Sequence, residues 1–159
     1  MAKKKKDKKS SDATIARNKR ATFNYKIEEK YEAGLVLQGW EVKSLREGRV
    51  QLSDAFVQVH NMEAWLHNCH ITPLLSASTH RTNESTRKRK LLLHSRELAK
   101  LTGLVERKGY TLIAISLYWQ RGKVKLQMGL GKGKKEYDKR ASIKERDWQR
   151  DKARSIRIN

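Results

Sequence analysis

Y-T-L-I-A-I-S-L-Y-W at residues 110–119, Gln120–Arg121–Gly122, then K-V-K-L-Q-M-G-L-G at 123–131 is the stretch that decides the fold. Both runs are rich in β-branched and aromatic residues, which suit a pleated, half-buried surface. A short glycine-bearing turn joins them, so they read as an antiparallel hairpin. Just upstream, S-R-E-L-A-K-L-T-G-L-V-E-R-K-G at 95–109 is the clearest helix. Ser95 supplies an N-cap and Glu97 a first-turn acid. Leu98, Leu101, Leu104 and Val105 make the apolar stripe, and Arg107–Lys108–Gly109 the cationic stop. Further back, L-L-L-H at 91–94 is a short buried strand. Residues 51–73 form a second hairpin, closed by Pro73, with its turn at His60–Glu63. In it Ala55, Val57 and Val59 share one face, and Trp65, His67, Cys69 and Ile71 share another. W-E-V-K-S-L-R-E-G at 40–48 is one or two helical turns stopped by Gly48. From Thr22 to Gly39 the chain reads as one long strand, or two strands with a bend at Gly34. The expected fold is mainly β, an OB-like antiparallel barrel of five or six strands over 14–131 with a few short helices. A disordered basic arm (1–13) precedes it, and a disordered basic tail (132–159) follows.

The charge supports that division. The chain has 159 residues and a formal net charge of +20. Of this, +13 sits in the 48 residues at its two ends, 1–20 and 132–159. Such a field attracts phosphate backbones. Cys69 is the single cysteine, which excludes an intrachain disulfide and fits a reducing cytoplasm. Apolar runs are too short to span a bilayer and the N-terminus lacks a secretory h-region, so neither membrane insertion nor export is expected.

Catalytic chemistry finds no foothold. His67-x-Cys69-His70 looks metal-like, but on a strand His70 faces away from the other two. G-L-G-K-G-K-K resembles a phosphate loop, yet Met128 stands where the Walker pattern needs glycine, and Lys135 where it needs Ser or Thr. No cofactor, metal or small-molecule substrate is expected, and no enzyme activity. Acids such as Glu32, Glu41 and Asp54 read as ordinary surface or turn residues.

Binding features are stronger. Arg87–Lys90 is four consecutive cations running into a strand, a rigid cationic edge. Asn18–Lys19–Arg20 followed by Phe23 combines an amide, two cations and a ring, suited to phosphate contact and base stacking. In the tail, Arg146, Arg150, Arg154 and Arg157 fall within a sector of roughly 80° on a helix. A tail with so little to bury is expected to coil only against a polyanion.

N-K-R at 18–20, Y-E-A-G-L-V-L-Q-G-W-E-V-K-S-L-R-E-G at 31–48, R-K-R-K-L-L-L-H at 87–94, G-K-G-K-K-x-Y-D-K-R at 131–140 and I-K-E-R-D-W at 143–148 come in an order that resembles the SmpB family of SsrA-binding proteins. The resemblance runs from about Ile15 to Arg154. It implies an OB-type barrel that binds the tRNA-like domain of transfer-messenger RNA (SsrA RNA) as a monomer. It also implies delivery of that RNA to ribosomes stalled on incomplete messages, for trans-translation. By position Asn18, Glu32 and Leu92 match the family's RNA-contacting residues; Leu92 is expected to pack the cationic edge rather than touch RNA, and Arg87, Arg89 and Lys90 to take phosphates. It further implies that Gly133, Lys134, Lys135, Tyr137, Asp138, Lys139 and Arg140 meet the decoding region with its small-subunit rRNA. Ile143, Trp148 and Ile156 would belong to a helix in the empty mRNA channel. Tyr137 replaces a common histidine, and Glu84–Ser85 a common Asp–Pro. The competing reading is a structural ribosomal protein with basic extensions.

Overall fold

The computed structural model describes residues 14–75 and 84–158. The arm expected over 1–13 lies outside the described residues, as does most of the polar loop before Arg87. In chain order the elements are β1 (Thr14–Arg17), α1 (Lys19–Asn24), β2 (Tyr25–Leu35), α2 (Gly39–Arg46), β3 (Val50–Gln51), β4 (Phe56–His60), β5 (Glu63–His67), β6 (His70–Ile71), β7 (Arg89–Leu92), α3 (Ser95–Lys108), β8 (Thr111–Gln120), β9 (Lys123–Gly133) and α4 (Glu136–Ile158).

The decisive hairpin is β8–β9, paired from Gln120↔Lys123 back to Thr111↔Gly131. Its turn residues Arg121 and Gly122 have φ of 51° and 74°. That left-handed pair matches the natural strand twist. The sheet order is β1-β8-β4-β5-β7-β2-β9, and β9 pairs with β8 as well as β2. Six strands therefore close a ring, and β1 lies on β8 beyond β4. Closure removes the free edges that an open sheet would expose. The core inside includes Ala33, Val57, Leu66, Leu91, Leu112, Leu126 and Met128, each buried. α3 inserts Leu101 into it, with Leu98, Leu104 and Val105 packed alongside. His94, one residue before the expected Ser95, caps α3, and Gly109 ends it at φ 66°.

Several expectations shift. Trp65, His67, Cys69 and Ile71 do not share a face: Ala64, Leu66, Cys69 and Ile71 are buried, while Trp65 and His67 turn outward. Asn68, at φ 56°, flips the alternation between them. Thr22–Asn24 belongs to α1, and β2 runs unbroken through Gly34, where it passes from β9 to β7. β9 continues to Gly133, two residues past the expected boundary, because Tyr25 still pairs with it there. A Cβ at Gly131 would lie 2.5 Å from the Lys26 carbonyl oxygen, a backbone atom with nowhere to go. Gly131→Ala is therefore expected to lose roughly 2–3 kcal/mol in urea unfolding.

The tail also differs from the expected disorder. Glu136–Ile158 is one helix, exposed along nearly all of its described surface. Its Glu, Lys, Arg, Ala and Gln content favours helix without burial, and Gln149 Nε2 donates to Glu145 Oε1 at 3.1 Å one turn back.

Candidate nucleic-acid interface

The cationic edge is built on a buried carboxylate. Glu41 is the third residue of α2 and completes a capping box: it accepts from the Gln38 amide at 2.8 Å. The helix thereby carries its side chain, 0% exposed, to the inner side of the edge. There Arg87 Nη2 donates to Oε1 and Arg89 Nε to Oε2. Arg89 also donates to the carbonyls of Cys69 at 2.6 Å and Ser85 at 3.1 Å. Two guanidiniums around one carboxylate satisfy a charge that burial would otherwise make costly. The bland reading of Glu41 is corrected by this. So is the phosphate contact expected of Arg89, which is 0% exposed and spends its donors on the protein. Burial divides the run: Arg87, Arg89 and Leu91 turn inward, while Lys88, Lys90 and Leu92 are more exposed, and from Arg89 on this follows strand alternation in β7. The signal available beforehand was Gln38-x-x-Glu41 ahead of an apolar residue.

Asn18 is 5% exposed. β8 bulges between Ala114 and Ser116, which frees two carbonyls from the ladder. The Asn18 side-chain amide donates to the Ala114 carbonyl at 3.0 Å, and its backbone amide to that of Ile115 at 2.7 Å. In this structure these two donors seat α1 on the barrel. α1 then presents Lys19 and Arg20 to solvent, Arg20 standing 3.5 Å from Asp54. The Arg146 guanidinium lies over one face of the Phe23 ring, 5.7 Å from its centroid.

On the outer face of β2, Tyr118 donates to Glu32 Oε2. Partial burial and this carboxylate raise the Tyr118 pKa above the ordinary phenol range. Tyr110 likewise donates to Glu28 at 2.6 Å, and Tyr31 to Glu29. Tyrosine hydroxyls thus fix acids on a strongly cationic protein. A groove of about 1000 Å³ opens here, lined by Glu32, Gly34, Leu92, Trp119, Lys123 and Lys125 among others. Leu92 is 56% exposed, so it belongs to the surface that a ligand would meet. Its β-carbon would lie 3.3 Å from one added at Gly34, which keeps the groove open between them. Glu32, Leu92 and the lysines thus share one surface, whereas Asn18 and Arg89 are buried and do not line it.

The tail's root is tied to α1. The Lys134 amide donates to the Asn24 carbonyl at 2.8 Å, and Lys134 Nζ to Ser142 at 3.0 Å. Beyond Gly133 and Lys135 the helix projects Lys139, Arg140, Arg150 and Arg154. Asp138 is half-buried, its amide bonded to the Lys135 carbonyl at 3.0 Å. Tyr137, Ile143, Trp148 and Ile156 are large apolar groups left 44–66% exposed.

The model of the SmpB protein family matches residues 15–158. The chain belongs to the SmpB family. SsrA-binding proteins of Shewanella sp. (strain W3-18-1) and Alkalilimnicola ehrlichii are 57% and 55% identical to it. The alignments span 97% and 96% of this chain and 95% of each relative. A solved structure described as "tmRNA-SmpB: a journey to the center of the bacterial ribosome" matches with a TM-score of 0.63 and 44% identity. It covers 76% of this chain and 85% of the other.

The SmpB match starts within β1 and ends with α4, so barrel and tail are both family features. Among the described residues of this SmpB-family chain, no group of three or more His, Cys, Asp or Glu could hold a metal. Cys69 is buried in the core, and that burial pushes its thiol pKa up to about 11, so it is held as an inert thiol. No helix among them is long and apolar enough to cross a membrane.

Proposed function

We propose that the chain binds the tRNA-like domain of transfer-messenger RNA and delivers it to stalled ribosomes in the cytoplasm for trans-translation, as a binding factor and not an enzyme. The observation that carries this reading is the length of the likeness to SsrA-binding proteins, which runs through the barrel and on through α4. The interface supports it. Lys88, Lys90, Lys123 and Lys125 offer phosphate contacts around a groove with an apolar wall, and Glu32 offers an acceptor to base amino groups. An acid on an RNA-facing surface is repelled by phosphates, so its place there favours base reading. On the ribosome, Lys134, Lys135, Lys139 and Arg140 contact decoding-region rRNA, and the exposed Ile143, Trp148 and Ile156 find cover in the mRNA channel.

Affinity for the tRNA-like domain, followed by fluorescence anisotropy, is expected to fall linearly on a log–log salt plot. Each neutralised phosphate contributes about −0.7 to −0.9 to the slope. Glu32→Gln is expected to weaken binding about tenfold without changing that slope. A flat salt response, or a slope that moves with Glu32→Gln, would overturn these assignments.

A further inference from the structure

Outward-facing residues of β4, β5 and β7 make a second surface that the groove does not include. The register sets Phe56 opposite His67, and Trp65 opposite Lys90. The Phe56 and His67 rings stack, with centroids 5.0 Å apart and planes 7° from parallel. Phe56 is 38% exposed although it sits mid-fold on a strand. Partial burial and the neighbouring Lys88 hold the His67 pKa below its ordinary value, and the ring lies flat against Phe56. Lys88 and Lys90 alternate outward beside these rings. Lys90 is 3.3 Å from Glu63, but both side chains are more than 40% exposed. Such a pair is weak enough for a phosphate to replace its acid.

We propose that Phe56, Trp65, His67, Lys88 and Lys90 form a stacking platform for unpaired bases of the bound RNA, continuous with the groove through Leu92. Three observations commit the surface to RNA. Rings on β4 and β5 stand beside cations on and just before β7 at inter-strand spacing, which lets a nucleotide stack while a neighbouring lysine takes its phosphate. The net charge of +20 disfavours a cationic or neutral peptide less than it favours a polyanion. Leu92 lines the groove and lies two residues from Lys90 on the same face of β7, so a strand leaving the groove passes onto the platform without a gap.

The inference rests on the RNA reading above, and its test separates the two. The full chain is titrated with the tRNA-like domain and, separately, with a 12-nucleotide oligoadenylate. The double variant Phe56→Leu/His67→Leu keeps apolar bulk on the strand and removes both rings. It is expected to bind both probes about tenfold more weakly, with unchanged salt slope. Lys88→Gln/Lys90→Gln is expected to lower the slope by about 1.5. Matching far-UV spectra and unfolding midpoints identify variants that keep the fold. A folded Phe56→Leu/His67→Leu protein that binds both probes within twofold of the parent overturns the platform. If the parent fails on the tRNA-like domain but its oligoadenylate binding still depends on the two rings, the platform stands and the transfer-messenger RNA reading falls.

Discussion

Glu41→Ala is expected to lower the unfolding free energy by about 3–5 kcal/mol, read as a fall in the urea midpoint. Removing the carboxylate leaves two guanidiniums without their anion, and Arg89, 0% exposed, cannot turn to water. It also breaks the capping box at Gln38, a smaller loss of about 1 kcal/mol. Glu41→Leu combined with Arg89→Met tests the cause. If the penalty comes from a buried unpaired charge, removing both partners together should recover most of the stability. A second consequence is local. Arg87 and Arg89 hold Lys88 and Lys90 outward, so the Glu41→Ala protein should bind RNA with a shallower salt slope even where it is still folded. A midpoint unchanged by Glu41→Ala would mean that the edge is held by its strand pairing alone.

That carboxylate marks where sequence reading stopped. The β8–β9 hairpin was legible because its signals are local: alternating apolar residues and a glycine turn. The same holds for α3, whose leucines repeat at helical spacing. The fold class followed from such signals. The capping box could be read locally, but the ion-pair partners of Glu41 could not, since they lie 46 and 48 residues away and no local pattern joins them. Asn18 is a similar case, bonded across 96 residues to a carbonyl that only a bulge exposes. The R-K-R-K run was expected on a rigid edge; it leads instead into β7, a strand paired on both sides, and charge alone could not say which cations face inward. The Asn68 flip hid the Phe56–His67 stack, because one left-handed residue reverses the facing of everything after it. α4 is the opposite case: its composition was read as unable to bury anything, which is so, yet helix propensity alone suffices to coil it here.

A chain ending at Gly133 is expected to bind the tRNA-like domain within about threefold of the full protein at physiological salt, yet to support no peptide tagging in a reconstituted stalled-ribosome assay. The cut leaves the barrel whole, because Gly133 is the last residue of β9 and its pairing to Tyr25 survives. What is lost is the Lys134–Asn24 backbone bond, the Arg146 contact on Phe23, and a helix that touches the body at α1 and leaves Trp148 and Ile156 exposed. A helix so placed adds little to barrel stability, so the unfolding midpoint should barely move. Its basic face and uncovered apolar groups suit a second, larger partner, and that partner is the ribosome in the function proposed here. Restoring the tail with Arg146, Arg150 and Arg154 changed to Ala separates charge from shape. If phosphate contacts seat the helix, tagging stays at least tenfold down. If tagging returns in full, the apolar groups alone seat it. Loss of RNA binding by the truncated chain would instead mean that barrel and tail grip one RNA together, and the division between the two would have to be given up.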